Sequence, residues 1–371
     1  MIKFSEISKS KRIVIKIGSS LLINENGKGD QKWLENFAED ILNFKKKEII
    51  IVASGAVSLG KKYLDLSKHE SNINFKQAYA ACGQVILMNN FIKVFQKKKK
   101  KVAQVLLTFS DTENRRRSLN SRETLINLIA RNVIPVINEN DTVATDELKF
   151  GDNDRLAARV AQIIEADLLI LLSDVKGLYN KNPAKFGDAK MIEVVKKIDS
   201  KIFKMASGDT NMYGSGGMIT KVQAAEIAGS FGCNTLILEG KEYKPLTCFK
   251  KKKIGTLFIS DLKKKRGIKS WLAGSINISG SITIDKGAIE ALKKGASLLP
   301  SGIIDISGAF SKGDILEVIS YDKKKLGRGI TYYDSDDVER LKGKKTIHIK
   351  EVLGYQGRDE IIHRDYLYLI R

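Results

Sequence analysis

Six short runs of nearly uninterrupted apolar residues punctuate the chain ahead of Gly240: Ile13–Ile17, Glu48–Ala53, Val102–Thr108, Val133–Ile137, Leu168–Leu172 and Thr235–Leu238. A strand with one wet face alternates apolar and polar residues. A run that is apolar throughout suits a strand covered on both faces, as in a parallel sheet flanked by helices. Helical spacing fills the intervals, most clearly at Lys32–Phe44, where Trp33, Phe37 and Ile41 share a face with Leu34 and Ala38 beside them. Strand and helix alternating around one core predict an α/β fold, a three-layer sandwich with a mainly parallel central sheet.

After Gly240 the pattern changes. Lys250–Lys253 precedes a strand-like Thr256–Ile259, and Lys263–Lys269 reads as a charged linker. From Trp271 onward the elements shorten and glycines become denser. Ser281–Asp285, Ile303–Ile306, Asp314–Ile319 and Thr346–Lys350 are expected as brief strands, with one helix at Ala288–Lys294. The expected organisation of the 371 residues is an α/β domain over 1–260, a linker over 261–272 and a small, mostly β domain over 273–371.

A formal net charge of +21 admits a polyanion partner, since clustered Lys and Arg supply most non-specific affinity for nucleic acid. The excess lies in short runs spread along the chain, such as Lys45–Lys47, Lys97–Lys101 and Lys323–Lys325, and none is interleaved with aromatics for base stacking. These runs read as solvated faces, and a specific nucleic-acid partner is not expected. Neither a signal peptide nor an apolar membrane span is evident, so a cytoplasmic protein is expected. Cys82, Cys233 and Cys248 form no CxxC pair and read as reduced thiols, and the scattered His69, His348 and His363 argue against a histidine metal site or triad.

The most informative stretch for chemistry runs from Val133–Ile137 into Asn138-Glu-Asn-Asp141 and on to Gly151-Asp-Asn-Asp154, which opens a helix expected over Arg155–Glu165. Polar groups gathered at strand ends and helix starts are how open α/β sheets bind small ligands. Asp152–Asp154 alone fits a helix N-cap. Asn138, Asn140 and Asp141 have no such explanation, so the two clusters together read as a site. Lys16 stands inside the first apolar run, followed by Gly18-Ser19-Ser20. It reads equally as an edge-strand lysine reaching solvent or as a cation aimed at phosphate beside glycine and serine N–H groups. Ala53-Ser54-Gly55-Ala56 repeats the grammar of strand, hydroxyl and glycine. Gly214-Ser215-Gly216-Gly217-Met218-Ile219-Thr220-Lys221 leads into a helix running to about Phe231, where unpaired N–H groups and the helix dipole favour phosphate. It has neither P-loop order nor dinucleotide spacing. Ser173-Asp174 ends the fifth run, and the Lys176–Pro183 segment after it fits either a plain loop or a nucleoside pocket.

The inventory is thus Lys16 and Lys221, glycine-rich N–H donors, and several acids and amides, with no catalytic histidine. That set suits phosphoryl transfer by positioning and charge neutralisation. A carboxylate acceptor needs no general base, since with a pKa of about 4.3 it is already ionised at neutral pH. The residues favour a kinase acting on an anionic small molecule.

In this order the motifs resemble the amino acid kinase family. The carrying segments are Val14-Ile-Lys-Ile-Gly-Ser-Ser, Ala53-Ser-Gly-Ala, Ala81-Cys-Gly-Gln, Pro135-Val-Ile-Asn-Glu-Asn-Asp, Gly151-Asp-Asn-Asp, Leu172-Ser-Asp-Val-Lys-Gly-Leu-Tyr and the Gly214–Lys221 segment. Lys294-Gly-Ala-Ser-Leu-Leu-Pro-Ser-Gly-Ile and Gly308-Ala-Phe-Ser-Lys-Gly-Asp resemble a PUA domain. Ser19 and Ser173 stand where Thr is usual in the family, and both keep the hydroxyl.

Within the family, the resemblance implies ATP-dependent phosphorylation of the L-glutamate side-chain carboxylate to an acyl phosphate, the first step of proline synthesis, with Mg²⁺ accompanying ATP. It implies that Lys16 and Lys221 contact the transferring phosphoryl group and that Asp154 orients them. Ser54, Asp141 and Asn153 would bind glutamate. Lys16, Ser173, Asp174, Ser215, Gly216, Gly217, Met218, Ile219, Thr220 and Lys221 would line the nucleotide site, with no metal ligand from the protein. Proline as feedback inhibitor, a homo-oligomer and a functional link to glutamyl-phosphate reductase are further expectations. Rival readings are a kinase for acetylglutamate or aspartate, and an RNA-binding protein carrying a relic kinase domain. Every site motif lies ahead of Gly240, so the C-terminal domain is expected to be dispensable for the chemistry.

Overall fold

The computed structural model describes residues 5–24, 26–44, 46–64, 73–143, 153–207, 217–260 and 278–370. The expected linker 261–272, the Gly151-Asp152 pair and, from the nucleotide motif, Ser215 and Gly216 lie outside the described residues. The chain divides into two compact units, Met1–Glu113 with Ser121–Lys264, and Lys265–Arg371 with Asn114–Asn120.

The first unit is built on an eight-stranded sheet. Its strands are β1 (Arg12–Ile17), β2 (Glu48–Ala53), β3 (Lys101–Leu107), β4 (Val133–Glu139), β5 (Leu168–Ser173), β6 (Val194–Val195), β7 (Asn234–Glu239) and β8 (Thr256–Phe258). The order is β3-β4-β2-β1-β5-β7-β8-β6, parallel except where β8 runs against β7. All six apolar runs are strands of this sheet. β3 differs from the expectation of two covered faces: it is the sheet edge, and its Lys101 and Gln104 are exposed.

Alternate residues of β1 feed opposite layers. Ile13, Ile15 and Ile17 join Trp33, Phe37 and Phe91 in one buried cluster, and Val14 joins Ile50, Val52, Leu156 and Val222 in the other. The period of two along a strand therefore turns Lys16 towards the layer that holds the helices Asn153–Ile163 and Met218–Gly229. On the other layer, the 25-residue helix Ile73–Lys97 crosses Ala56–Tyr63 closely enough that a Cβ on Gly83 would stand 1.8 Å from the Ala56 carbonyl oxygen. β2, β3, β4 and β5 are each entered from a residue in the left-handed region: Lys46 (φ 63), Lys99 (φ 55), Asn132 (φ 59) and Glu165 (φ 54).

The second unit carries a five-stranded sheet ordered β10-β9-β11-β12-β13. Its strands are β9 (Gly280–Ile284), β10 (Ile303–Ser307), β11 (Ile315–Ser320), β12 (Lys325–Thr331) and β13 (Ile362–Leu369). The strand expected at Thr346–Lys350 is a 3₁₀ turn, Thr346–His348, followed by the helix Ile349–Leu353. Ile349 and Leu353, four apart, are buried, whereas Ile347 is 80% exposed, so the spacing follows a helix. Ser335–Leu341 is a further helix beside the one expected near Ala288–Lys294, which spans Lys286–Lys293.

Candidate active site

The C-terminal ends of β4, β2, β1 and β5 bring Asn138, Ser54, Gly18 and Ser173 to one edge of the sheet. Here the strand order reverses, β2 to β4 lying on one side of β1 and β5 onward on the other, the position at which open α/β sheets form a crevice. The crevice is a cavity of about 380 Å³ lined by Lys16, Ser54, Asp141, Asn153, Ser173, Asp174 and Lys221, all named from sequence. Gly18–Ser20, Lys76 and Asn138 also line it.

At its inner end a carboxylate is shared by two lysines. Lys16 lies in mid-sheet, in register with Val52 and Leu171, so the edge-strand reading of this lysine is incorrect. Its Nζ is 2.7 Å from Asp154 Oδ1, while Lys221 Nζ is 3.0 Å from Asp154 Oδ2. Thr220 Oγ1 donates to Asp154 Oδ2 at 2.9 Å, and Lys221 Nζ donates to the Gly217 carbonyl at 3.3 Å. All three charged residues are less than a tenth exposed. Burial alone would raise the Asp154 carboxyl, but the ammoniums of Lys16 and Lys221 outweigh it and hold it down at about 2. The cluster keeps one excess positive charge, and it stands at the first turn of the helix Met218–Gly229, whose dipole adds to it. Gly217, at φ 93 and ψ −157, is in backbone space open essentially to glycine alone, and it sets the entry of that helix.

The second feature is a chain of amides. Asn153 Nδ2 lies 2.9 Å from the Ala53 carbonyl oxygen, 2.8 Å from Ser54 Oγ and 2.9 Å from Asn138 Oδ1. Asn138 Oδ1 also accepts the Glu139 N–H at 2.9 Å, and Asn138 Nδ2 donates to Gln84 Oε1 at 2.8 Å. Asn153 and Asp154 are the first residues of their helix, and their side chains turn to this site; Asp152, at the N-cap position, lies outside the described residues. Asn153 Oδ1 is buried and has no hydrogen-bond partner among the described residues. Asp141 faces the same cavity, and burial pushes its carboxyl up to about 6. Asn140 belongs to the turn instead, accepting from Thr142 Oγ1 at 2.5 Å. Sequence reasoning read Asn138 into the site without giving it a role and passed over Gln84, although both lie in the quoted motifs.

A second cavity, of about 930 Å³, meets the first at Asp174. It is formed by the segment Asp174–Phe186 with Lys204–Ser207, Met218 and Glu239. The segment is anchored where the Leu178 N–H donates to Thr256 Oγ1 at 2.8 Å. Of the expected nucleotide-site residues, Met218 and Asp174 line this cavity. Ile219 and Thr220 line neither cavity: Ile219 is buried, and Thr220 serves Asp154.

An α/β sandwich with paired lysines beside a helix N-terminus and two confluent cavities defines a small-molecule phosphotransferase. In agreement, residues 11–238 match the Amino acid kinase family and residues 280–353 the PUA domain, so the chain belongs to the amino acid kinase family. The match to curated relatives is closer still. The chain is 44% identical over 366 residues to glutamate 5-kinase of Paramagnetospirillum magneticum, covering 98% of this chain and 99% of that one. It is 44% identical over 361 residues to glutamate 5-kinase of Pelagibacter ubique, covering 97% and 98%. The glutamate 5-kinase of Caldanaerobacter subterraneus subsp. tengcongensis is 44% identical over 363 residues, covering 97% and 98%. Within the family, the chain belongs with the glutamate 5-kinases.

Proposed function

We propose that the protein transfers the γ-phosphoryl group of ATP to the side-chain carboxylate of L-glutamate, giving L-glutamyl 5-phosphate, the first step of proline biosynthesis. The observation that carries this reading is the Lys16–Asp154–Lys221 cluster at the junction of an acid-lined cavity and a larger one. The larger cavity suits the nucleoside, with the phosphates running past Met218 to Lys221. Lys16 and Lys221 would take up the charge that spreads over the phosphoryl oxygens during transfer, and Asp154 holds both ammoniums still. The attacking carboxylate is already ionised, so no base is required.

Asp141 and the Asn153 Oδ1 acceptor favour an ammonium group, which glutamate has and acetylglutamate lacks. Lys76, a third cation on the cavity wall, suits the α-carboxylate. Mg²⁺ fits as an ion carried by the nucleotide. Among the described residues no three His, Cys, Asp or Glu side chains are gathered to hold a metal, and Mg²⁺ commonly binds through phosphate oxygens and water.

Feedback by proline is part of the same reading, because its ammonium and carboxylate match the groups offered to glutamate. A homo-oligomer is supported by Phe75, Val85 and Ile92, exposed on the long helix Ile73–Lys97. A functional link to glutamyl-phosphate reductase follows from the lability of an acyl phosphate. A cytoplasmic setting suits an ATP-dependent enzyme whose Cys82, Cys233 and Cys248 are in no disulfide. No helix among the described residues is long and apolar enough to cross a membrane. Acidic and basic residues nearly cancel over 278–371, which argues against a specific RNA partner for that stretch.

Incubation with ATP, Mg²⁺ and glutamate, with hydroxylamine trapping the acyl phosphate, should give the γ-hydroxamate, and far less product with aspartate or acetylglutamate. Equal turnover of acetylglutamate would overturn the assignment of substrate.

A further inference from the structure

We propose that Gln84 is a positioning residue that selects for the substrate's ammonium group by holding in place an amide chain, Gln84–Asn138–Asn153. The proposal rests on the glutamate reading and adds a residue that the reading does not use.

Backbone groups, whose donor and acceptor ends cannot be exchanged, set the chain's direction. The Glu139 N–H requires an oxygen opposite it, so Asn138 must present Oδ1 there, 2.9 Å away. The Ala53 carbonyl requires a donor, so Asn153 must present Nδ2, again at 2.9 Å. These constraints agree where the two amides meet, Asn153 Nδ2 donating to Asn138 Oδ1 at 2.9 Å. Asn138 Nδ2 is then left facing Gln84, whose Oε1 accepts from it at 2.8 Å.

The other end of Asn153 faces the consequence. With the two hydrogens of Nδ2 taken up among three nearby oxygens, Oδ1 is left buried without a partner among the described residues, on a side chain that lines the cavity. A buried acceptor in that state is costly until a donor arrives. An ammonium is a donor, while a substrate carrying only carboxylates has nothing to offer it. Asn138, Asn153 and Gln84 are each nine-tenths or more buried, so water is a poor substitute for any member of the chain. Without an acceptor at position 84, Asn138 Nδ2 is stranded. The Asn138 amide then gains by shifting its Nδ2 towards another acceptor, which draws Oδ1 off Asn153 Nδ2 and loosens the hold on Asn153.

The test compares glutamate with glutarate, which has both carboxylates and no ammonium. KM for glutamate, KM for ATP and the inhibition constant of glutarate are measured for the full-length protein and for Gln84→Met, Gln84→Glu and Asn138→Asp. Gln84→Met should raise KM for glutamate about ten- to hundredfold, the range for stranding one buried polar group. Glutarate binding and KM for ATP should change little, so the preference for glutamate over glutarate falls by a similar factor. Gln84→Glu keeps an acceptor and should keep the preference, whatever happens to the rate.

Asn138→Asp still accepts from Glu139 and Asn153, so it too should keep the preference, and it gives an independent reading should Gln84→Met fail to fold. A merely structural role for Gln84 would weaken both ligands alike. An unchanged preference in Gln84→Met, an equal loss in Gln84→Glu, or a collapsed preference in Asn138→Asp overturns the proposal. Absence of γ-hydroxamate from the parent protein would instead overturn the glutamate reading, so the two failures are distinct.

Discussion

Replacing Asp154 by Asn keeps the size of the side chain and removes the carboxylate that two buried ammoniums share. Lys16 Nζ and Lys221 Nζ stand 2.7 Å and 3.0 Å from its two oxygens. With about 2.2 Å across a carboxylate, the nitrogens are at most roughly 8 Å apart. At an effective dielectric of about 20, their mutual repulsion is then at least about 2 kcal/mol. Removing one partner of a buried ion pair costs about 3–5 kcal/mol in general, so the repulsion supplies a good part of the expected loss. Each kcal/mol moves the midpoint of a domain this large by about 2–4 °C, so ligand-free Asp154→Asn should melt roughly 6–20 °C below the parent. A nucleoside triphosphate brings negative charge to the same two lysines. A saturating ATP analogue that cannot transfer phosphate should therefore raise the variant's midpoint by more than it raises the parent's. Thermal unfolding followed by circular dichroism, with and without the analogue, measures both shifts. A ligand-free midpoint within about 2 °C of the parent's, or equal ligand-induced shifts in the two proteins, refutes the reasoning.

Lys221→Met should lower kcat by roughly 10²–10³, the scale for one lost transition-state contact, as measured by ADP release at saturating substrates. Asp141 must be ionised to hold an ammonium, and burial holds its carboxyl at about 6, so protonation below that pH removes the charge that glutamate needs. KM for glutamate should climb about tenfold for each pH unit below that value, and Asp141→Asn should raise KM at neutral pH and abolish this dependence. Gly83→Ala puts a methyl group 1.8 Å from the Ala56 carbonyl oxygen and 2.5 Å from the Gly60 nitrogen, backbone atoms that cannot step aside. It should cost about 1–3 kcal/mol in a denaturant melt and raise KM for glutamate, because the displaced helix starts just after Ser54 and Gly55.

The strands of the first sheet were legible because a both-faces-covered strand leaves an apolar run that little else produces, and the site was legible because Lys16 interrupts one such run, Asn138 ends another and Asp154 opens a helix. What escaped was of two kinds. In the second unit, β12 is interrupted by Gly327 and Gly329 and β13 by charges, so neither shows a run, while Thr346–Lys350 has the β-branched composition of a strand but the burial spacing of a helix. In the first unit, partners far apart in sequence stayed hidden. Asp40 looks like a surface residue of an amphipathic helix, yet it is fully buried, accepting from the Leu246 N–H at 2.7 Å and capping the helix Pro245–Lys252. Gln84 likewise sits mid-helix, and only the fold shows it meeting Asn138, 54 positions away.

The left-handed residues that lead into β2, β3, β4 and β5 have a consequence for how such an enzyme can adapt to heat. Lys46, Lys99, Asn132 and Glu165 carry side chains in a conformation that costs an ordinary residue roughly 1–2 kcal/mol. Glycine would relieve that cost and lose part of the gain to a freer unfolded chain, a net of up to about 1 kcal/mol at each position. These positions stand at the N-terminal ends of the strands, whereas Lys16, Ser54, Asn138 and Ser173 stand at or just beyond the C-terminal ends. Thermal tolerance can thus drift at one rim of the sheet while the chemistry is conserved at the other, and a lineage moving between warm and cold habitats has room to retune the first without renegotiating the second.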